Sequence, residues 1–398
     1  MRCRICDATD FNLVLDLKDQ PCGLHFLKKE HFINENYYPL RLLYCNKCST
    51  VQLDYTMKKE QMYSDHTYLS GITKSLREHF DNLAKYVDDN FFKNKKNKSI
   101  LDIGSNDGTQ LESYKKLGYE VLGVEASKTT AEIANKNNIL TLHAFYNLET
   151  ADKINKKFDV FNAAGVFFHL EELHSVTAAI KKYLKEGGIF VVQFMYMKNI
   201  MENTAFDQIY HEHLLYYTLK TIETLLNRHG LSMFDGYFSS IHGGSIMGFV
   251  THMDKREKTK RLLDLIEKEN MSKTNELETY FKFAKEIENL KDKNLNFLNQ
   301  RKKEGKTIYA MGAPIKGNTL LNYFKIDQNL ITYLVEKNPL RKNLYSPGMH
   351  IPIVLEDEIN PPDVYYVLAW NFKNEILKNN KHLIDRGVEF YFPINPKE

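Results

Sequence analysis

The sequence lacks the features that mark membrane-spanning or secreted proteins. Its longest apolar run, residues 189–197, is interrupted by Gln193 and is far shorter than the roughly 20 residues that a membrane-spanning helix needs. No apolar signal region follows the first residues, Met-Arg-Cys, which predicts a cytoplasmic protein with reduced thiols. We therefore expect no membrane partner.

The sequence also lacks a strong charge of either sign. Its 54 Lys and Arg residues nearly balance 51 Asp and Glu residues, which leaves a net charge of +3. No overall field therefore marks a nucleic-acid-binding protein. With 398 residues, 43% of them hydrophobic, the chain can form two or three domains with cores of their own.

Four of the five cysteines are arranged as two Cys-x-x-Cys pairs, Cys3 with Cys6 and Cys45 with Cys48. Four thiolates can surround a structural zinc ion tetrahedrally, which is the common use of such pairs in a reducing compartment. A redox or purely structural use is the alternative, but neither pair lies in the strand-helix-strand pattern of redox motifs. The fifth, Cys22, has no partner motif and is expected to be a small buried hydrophobic residue.

Two β-strands are predicted near these cysteines, over residues 38–44 and 51–55, because both stretches are rich in apolar and aromatic residues. We expect residues 1–60 to form a small β domain. Its core is too modest to be stable without the metal.

A strand, a glycine turn and a helix are predicted over residues 99–117, which begin Ser-Ile-Leu-Asp-Ile-Gly-Ser-Asn-Asp-Gly-Thr. The next strand ends at Glu125. A glycine turn lets a ligand approach the backbone, and an acid at the next strand end can accept hydrogen bonds from ribose hydroxyls. The pattern therefore predicts a nucleoside site, with an ordinary turn as the alternative.

The spacing from Gly104 to Gly108 indicates which nucleoside this site holds. It lacks the third glycine of the dinucleotide motif. Asp107 is a poor neighbour for a phosphate, whereas a cationic ligand without phosphate tolerates it. The loop resembles the first motif of S-adenosylmethionine-dependent methyltransferases.

Strands and helices alternate through this part of the chain, which predicts a doubly wound parallel sheet with its ligand at the carboxyl ends of the strands. The strand candidates are residues 100–103, 121–124, 158–163 and 189–194. Residues 181–188 are predicted to end a helix at a glycine stop. His169 follows the third strand and is expected on the ligand side, although a lone histidine is as often simply packed.

The stretch 206–217, which contains Tyr210-His-Glu-His213, has the highest density of reactive side chains. His211 and His213 share a face only if the stretch is a strand. We rank first an acid/base cluster in which Glu212 or another carboxylate tunes an imidazole. A structural aromatic cluster and a metal site are the second and third interpretations.

The C-terminal part begins with a charged, helix-forming stretch, residues 254–305, of the kind that more often braces a fold or forms a dimer surface. A second strand, glycine turn and helix start follow at residues 307–318, and the next strand ends at Glu336. Lys316, with free amides at Gly317 and Asn318, could hold a phosphate at the helix N-terminus. A plain turn is the alternative.

Nearly the whole chain resembles the nucleotide-sugar C-methyltransferases that act on keto-deoxysugars. The matching segments are the paired cysteines, Tyr68-Leu-Ser-Gly, Asp102-Ile-Gly-Ser-Asn-Asp-Gly, Asp207-Gln-Ile-Tyr-His-Glu-His-Leu, His242-Gly-Gly-Ser, Lys316-Gly-Asn-Thr and Val335-Glu-Lys-Asn-Pro. In this order, the motifs are far more specific than any glycine loop alone.

The resemblance implies an α/β protein of three domains. These are a zinc-binding β domain at residues 1–60, a central doubly wound Rossmann-like S-adenosylmethionine domain at 61–250, and a second Rossmann-like domain at 251–398 that holds the nucleotide sugar behind a helical lead-in. The implied cofactors are S-adenosylmethionine and structural Zn²⁺. The implied partner is a nucleotide-diphosphate sugar and no nucleic acid, and the protein would be a monomer or homodimer.

The resemblance also implies roles for individual residues. His213 would be the general base, with Tyr210 and Glu212 beside it and with Tyr68 and His169 in contact with the sugar. The donor would lie against Asp102, Gly104, Ser105, Asn106, Asp107, Gly108, Glu125, Ala126 and Gly165. The substrate would contact His242, Ser245, Lys316, Gly317, Asn318 and Glu336.

The implied reaction is C-methylation of a keto sugar, most naturally at C3 beside a 4-keto group. A base must face the C–H bond while donors face the carbonyl oxygen, and the resulting enolate attacks the sulfonium methyl group. Two other classes stay open at this point. One is a zinc-ribbon protein that binds nucleic acid, with or without methylation, and the other is a nicotinamide oxidoreductase that uses Gly312.

Overall fold

The computed structural model describes residues 1–63, 69–72 and 74–395. Its β-strands are β1 (Phe11–Pro21), β2 (Tyr37–Cys45), β3 (Val51–Leu53), β4 (Ser99–Ile103), β5 (Glu120–Glu125), β6 (Thr141–His143), β7 (Phe158–Ala164), β8 (Leu184–Met195), β9 (Leu215–Tyr216), β10 (Leu231–Ser239), β11 (Ser245–His252), β12 (Ile308–Met311), β13 (Leu334–Glu336), β14 (Ile353–Leu355), β15 (Val364–Val367) and β16 (Glu389–Tyr391).

The α-helices are α1 (Lys59–Tyr63), α2 (Lys74–Val87), α3 (Thr109–Lys116), α4 (Lys128–Lys136), α5 (Leu148–Ile154), α6 (Leu173–Tyr183), α7 (Met197–Glu202), α8 (Leu219–Arg228), α9 (Lys260–Met271), α10 (Leu277–Lys303), α11 (Ile315–Phe324), α12 (Lys373–Asn379) and α13 (Lys381–Ile384). Short 3₁₀ segments cover Lys29–Asn34, Ser70–Ile72, Phe206–Gln208, Ile241–Gly243, Pro339–Arg341, Glu356–Glu358 and Trp370–Phe372, and a π-helical turn covers Asp88–Phe92.

The N-terminal sheet is antiparallel, with the order β1-β2-β3-β9. Both strands predicted near the cysteines are present as β2 and β3. The sequence did not predict β1, whose pairing with β2 shifts register twice, between Leu13 and Leu15 and between Asp16 and Asp19. These irregularities break the alternation of apolar and polar residues that identifies a strand.

The central sheet has the order β10-β11-β8-β7-β4-β5-β6. Its strands β4 to β8 are parallel, as predicted, and β11 and β10 extend it in antiparallel pairing. One prediction is wrong, because helix α6 ends at Tyr183 and residues 184–188 already belong to β8. There the strand is irregular, with a register shift opposite Phe158 and a positive φ at Gly187.

The C-terminal sheet is parallel throughout, with the order β14-β13-β12-β15-β16. The long helix α10 contacts both β1 and β12 and buries Tyr280, Phe283, Ile287 and Leu298. It therefore braces the N-terminal and C-terminal sheets against each other, one of the two uses predicted for this stretch.

One hydrophobic cluster runs through all three sheets and includes Leu42, Phe161 and Leu320. The three parts of the chain therefore share a core. Within the described ranges, no helix combines the length and the apolar character needed to cross a bilayer.

A buried carboxylate joins several helices of this assembly. Glu269 on α9 is 1% exposed, and its oxygens accept hydrogen bonds from the first amides of α8, Leu219 N at 2.6 Å and Lys220 N at 3.1 Å. The Tyr196 hydroxyl at 2.9 Å and Asn275 Nδ2 at 2.8 Å complete its hydrogen bonds. The negative charge also suits the positive end of the α8 dipole.

We expect the substitution Glu269→Ala to lower the free energy of unfolding by about 2–4 kcal/mol, because it leaves buried donors without their acceptor. The matched control is Glu267→Ala on the exposed part of the same helix, which should change stability by less than about 0.5 kcal/mol. Urea denaturation measures both. Equal stabilities of the two variants would contradict the role given to Glu269.

Candidate active site

The four paired cysteines come together at one end of the N-terminal sheet. All four sulfur atoms lie within 4.8 Å of one another, and Sγ of Cys3 and Cys48 and Sγ of Cys6 and Cys45 are each 3.6 Å apart. A tetrahedral zinc ion with Zn–S bonds of about 2.3 Å requires S···S distances of about 3.8 Å. The sulfurs therefore fit a structural zinc ion.

The two cysteine pairs have the same backbone geometry. The Asp7 amide donates to the Cys3 carbonyl at 3.0 Å, and the Ser49 amide donates to the Cys45 carbonyl at 2.9 Å. Asp7 and Ser49 both have positive φ, 61° and 65°. Each pair is thus a closed turn that presents its two sulfurs to the same point. The fifth cysteine, at position 22, is buried with Met57 and Met62, as expected.

The N-terminal sheet continues directly into the segment that carries the predicted base. Strand β3 pairs with β9, with Val51 opposite Tyr216. The Leu53 amide also donates to the Leu214 carbonyl at 3.0 Å. Because β3 begins just after Cys48 and β9 just after His213, the zinc cluster and the predicted base immediately precede two strands that pair with each other.

The predicted donor loop lies at the carboxyl ends of β4 and β5. Glu125 accepts hydrogen bonds from the Asn106 and Ser127 amides, each at 2.8 Å. Asp102 accepts a bond of 2.6 Å from Asn162 on β7, and burial raises the pKa of Asp102 to about 7. Among the described residues, neither Asp102 nor Glu125 has an ion-pair partner, so this edge of the sheet suits a cationic ligand.

The loop also leaves room for a ligand. Gly104 has a φ of +69°, and a Cβ there would lie 2.9 Å from Val166, so only glycine fits. At Gly165, just after β7, a Cβ would meet nothing within 4 Å. The Ser105 hydroxyl is buried and has no hydrogen-bond partner within the described part of the chain. The open space beside Gly165 and two carboxylates without an ion-pair partner in the described ranges together fit S-adenosylmethionine.

Asp107 and Ala126, which were also predicted to contact the donor, form hydrogen bonds within the protein. Both Asp107 oxygens accept hydrogen bonds, one from the Thr109 amide and hydroxyl and the other from the Gly71 amide at 2.8 Å. Asp107 thus binds the first amide of α3, which follows the left-handed Gly108 with φ 80°. Through the Gly71 amide it also holds the segment 69–72. The Ala126 carbonyl accepts a bond from His143.

His213 is 3% exposed, and its Nδ1 lies 2.8 Å from the Gln208 carbonyl oxygen. A carbonyl can only accept, so this contact places the proton on Nδ1 and the lone pair on Nε2. Burial lowers the pKa of His213 to about 3, and the charge of His242 acts in the same direction. The imidazole is therefore neutral near pH 7.

The rings around His213 include two of the predicted neighbours. His169 stacks on it with ring centroids 5.1 Å apart and an interplanar angle of 17°, and Tyr210 lies 3.9 Å away. Phe168 contacts the ring edge-on at 4.7 Å. The Leu214 amide donates to the Phe168 carbonyl, which ties the two segments together. Tyr68, the remaining residue expected near the sugar, lies outside the described residues.

The other two members of the Tyr-His-Glu-His motif are directed toward the N-terminal domain. His211 Nε2 lies 3.3 Å from the Tyr38 carbonyl oxygen, and the two rings are in edge contact. Burial raises the pKa of the Cys22 thiol to about 11, and the charge of Glu212 adds to this. The described ranges contain one cluster of three or more metal-ligating groups, the four cysteines, so nothing supports a metal at the histidines.

Side chains from distant segments join His213. His242 is exposed, and the protein around it lowers its pKa, with the charges of His79 and Lys316 acting in the same direction. His79 Nε2 lies 3.0 Å from the Gln193 Oε1 atom at the carboxyl end of β8. We call the set His79, Gln208, His213, His242 and Lys316 the junction cluster.

Lys316 brings the C-terminal domain into this cluster. Its Nζ lies 3.8 Å from the centre of the Trp370 ring, 2.8 Å from Asn371 Oδ1 and 3.9 Å from Asp207 Oδ2. Trp370 Nε1 donates to the same carboxylate at 2.7 Å. Burial lowers the pKa of Lys316 to about 8 and raises the pKa of Asp207.

The predicted phosphate site at the start of α11 is only partly formed. The Gly317 amide donates to the Pro314 carbonyl at 2.9 Å, so the expectation of a free amide there is wrong. The Asn318 side chain donates to the Gly23 carbonyl at 2.9 Å and so links two domains. The Ser245 hydroxyl likewise donates to the Ile241 carbonyl and shapes the turn that carries His242.

Glu336 occupies the same place in the C-terminal domain as Glu125 in the central one. It accepts a hydrogen bond from the Ala313 amide in the glycine turn at 3.2 Å. Unlike Glu125, it has a cation beside it, Arg341, whose Nη1 lies 3.3 Å from Glu336 Oε2. At equivalent positions, the acid of the C-terminal domain therefore has a cation beside it, and the acid of the central domain has none in the described part of the chain.

Sequence reasoning did not identify His79, Gln193 and Trp370. His79 lies in an ordinary amphipathic helix, and Gln193 interrupts an apolar strand. Trp370 is the single tryptophan of the chain, and that rarity was the one signal available for it.

Comparison with known proteins agrees with this architecture. Residues 3–63 match the family "Putative zinc binding domain", residues 76–234 the family "Methyltransferase domain", and residues 240–395 the family "C-methyltransferase C-terminal domain". C-methyltransferase NovU from Streptomyces niveus is 26% identical over 399 residues, which cover 98% of this chain and 95% of that protein.

Other relatives are similar over a smaller share of the chain. Ubiquinone biosynthesis O-methyltransferase from Pelagibacter ubique is 32% identical over 102 residues, 24% of this chain and 42% of that protein. The crystal structure of magnesium protoporphyrin IX methyltransferase from Synechocystis, with bound S-adenosylhomocysteine, is 13% identical and covers 48% of this chain and 92% of that chain, with a TM-score of 0.37.

The central sheet and its donor loop are those of a methyltransferase that uses S-adenosylmethionine. With its zinc-binding N-terminal domain and its C-terminal domain, the chain belongs to the C-methyltransferases. This class excludes the nicotinamide oxidoreductase that was open at the outset.

We expect Cys45→Ser to abolish stoichiometric zinc binding and to lower the melting temperature, because it removes one of the four thiolates that hold the ion and so couple its binding to folding. Elemental analysis of the purified protein and thermal unfolding measure these effects. The matched control is Cys22→Ala, which removes a buried thiol outside the cluster and should keep the zinc. A Cys45→Ser protein with full zinc content would contradict the assignment.

The low pKa of His213 predicts a loss of stability in acid. The unfolded chain binds a proton near pH 6.5 and the folded one only near pH 3, so this contribution is present above pH 6.5 and is lost as the pH falls toward 3. From pH 7.5 to 5.5 the wild type should lose about 1.4 kcal/mol more than His213→Asn.

Urea denaturation of both proteins at these two pH values measures this difference. Zinc loss and the other histidines affect both proteins alike, so the comparison isolates His213. Parallel pH profiles would show that the folded protein accepts a proton at this position.

Proposed function

We propose that the protein methylates a carbon beside the ketone of a nucleotide-linked keto-deoxysugar, most naturally C3 beside a 4-keto group. The observation that carries this proposal is His213, a neutral imidazole with its proton fixed on Nδ1. The likeness to the C-methyltransferase NovU over nearly the whole chain supports the type of reaction. We further propose domain boundaries near residues 60 and 250.

The residues of the junction cluster can perform the proton transfer. His213 Nε2 takes the proton from the carbon beside the ketone, and the electrons of the C–H bond form an enolate. Bound S-adenosylmethionine supplies a methyl group on a sulfonium, which the enolate carbon attacks as the bond to sulfur breaks. His213 then releases its proton to solvent, which restores the base.

Burial of His213 makes it a base that depends on its substrate. Its low pKa means that the imidazolium is unstable in the ligand-free protein. A developing enolate beside the ring supplies a negative charge that stabilises the imidazolium. Proton abstraction is therefore favoured only when the keto sugar is in place. His169 and Tyr210, packed on the ring, keep it oriented and exclude water.

The electrostatics of the two ligand-binding domains support the assignment of the substrates. The donor is cationic and would lie beside the unpaired carboxylates Asp102 and Glu125. The acceptor is anionic through its diphosphate and would lie toward Lys316 and Arg341. In the same proposal, Tyr68 and His169 contact the sugar, and Glu212 lies beside the base in sequence.

The test is a screen of dTDP-, GDP- and CDP-linked 4-keto-deoxysugars with S-adenosylmethionine, read by mass spectrometry. We expect a mass gain of one methyl group on at least one of them, and NMR should place it on the carbon beside the ketone. No methylation of any keto sugar would refute the proposal. A methyl group on oxygen would refute the enolate mechanism.

We expect His213→Asn to lower kcat by at least about 100-fold, since general-base catalysis contributes that much. S-adenosylhomocysteine should still raise the melting temperature of the variant, because the donor site is separate. The matched control is His211→Asn, which alters a histidine that packs on Tyr38 and should keep most of the activity. A fully active His213→Asn enzyme would exclude this residue as the base.

A further inference from the structure

Gln208 has a buried side chain with unused hydrogen-bonding groups. It is 2% exposed, and neither its Oε1 nor its Nε2 atom has a hydrogen-bond partner among the residues that the structure describes. A buried amide without partners costs the full desolvation of its groups. Such a side chain is expected where a ligand provides the missing bonds.

Its position places it in the junction cluster. A Cβ on Gly243 would lie 3.1 Å from Gln208 Nε2 and 3.0 Å from Trp370 Cη2, so the amide faces the turn that carries His242. The backbone carbonyl of the same residue accepts the proton of His213 Nδ1. Gln208 therefore orients the base through its backbone and has its side chain free nearby.

Three groups near Gln208 already have hydrogen-bond partners within the protein. Lys316 donates to Asn371 and lies beside Asp207, and Trp370 donates to Asp207. The histidine at 213 has its N–H directed at a carbonyl. Lys316 keeps further N–H donors, but of these groups the Gln208 amide is the one that has no hydrogen-bond partner at all within the described chain.

We propose that Gln208 stabilises the enolate of the acceptor. Its Nε2–H group donates to the ketone oxygen, which gains negative charge as His213 removes the neighbouring proton, and its Oε1 accepts from an adjacent sugar hydroxyl. A neutral donor fixed in a dry site stabilises such an oxygen without reorganisation. This inference rests on the proposed function, since it names the partner of the ketone in that reaction.

The test separates enolate formation from methyl transfer. The wild type is incubated in D₂O with S-adenosylhomocysteine and the keto-sugar nucleotide that it methylates, and NMR follows deuterium entry beside the ketone. Gln208→Met keeps the side-chain size and the backbone carbonyl but removes the amide. We expect it to slow exchange and kcat by about 100-fold or more with KM changed far less.

The matched control is Gln20→Met, at a glutamine that is 3% exposed and donates to the Leu17 carbonyl at 2.9 Å. This control should lose thermal stability and keep its exchange rate. Gln208→Met should show the opposite, a melting temperature no lower than that of the wild type and slow exchange, because the folded protein gives this amide no partner.

Two results would overturn the inference. If Gln208→Met exchanges deuterium at the wild-type rate, the amide does not stabilise the enolate, although the proposed function stands. If Gln208→Met is destabilised like the control and its exchange is unchanged, the amide has a structural role. A wild type that neither methylates nor exchanges any keto sugar refutes the proposed function, and this inference with it.

Discussion

Desolvation where the central and C-terminal domains meet is the constraint that shapes this protein. Burial there shifts the pKa of His213 to about 3 and that of Lys316 to about 8, while it raises the pKa of Asp207. Each group must therefore be neutral or paired. The aromatic contacts of His213 and the pairing of Asp207 with Lys316 and Trp370 follow from that requirement.

The two Rossmann-like units share one local arrangement, in which an acid is bonded to a glycine turn. In each unit, an acid at the end of the second strand accepts a hydrogen bond from a backbone amide of the glycine turn. Glu125 accepts from Asn106, and Glu336 accepts from Ala313. Only Glu336 has an arginine beside it, Arg341. Glu336 is therefore neutralised by a paired cation and, within the described ranges, Glu125 is not, which is the electrostatic difference between two otherwise equivalent positions.

The parts of the fold that depend on local patterns could be predicted from the sequence. Cysteine spacing predicted the metal site, and the turn 104–108 with its flanking strands predicted the donor domain. Strand β1 was missed because its register shifts destroy the alternation. The prediction of a free amide at Gly317 was wrong. A glycine turn in the sequence does not reveal whether the first amides of the helix donate to carbonyl groups that precede them.

The junction cluster is the part that sequence alone could not assemble. His79, His242 and Lys316 come from three separate segments, and only tertiary packing brings them close enough for their charges to shift the pKa of His242. His213 was predicted as a site residue through its motif, yet the tautomer that leaves a lone pair on Nε2 depends on a backbone carbonyl, which any residue at position 208 would supply. Patterns of side chains carry no information about such a bond.

The pairing of β3 with β9 also determines when the protein can finish folding. The zinc-binding sheet obtains its fourth strand from residues Leu215–Tyr216, more than 160 positions after β3. During synthesis, the N-terminal sheet therefore keeps an open edge until the whole methyl-donor loop has left the ribosome. An open edge invites pairing with other chains, and the pairing with β9 closes this one.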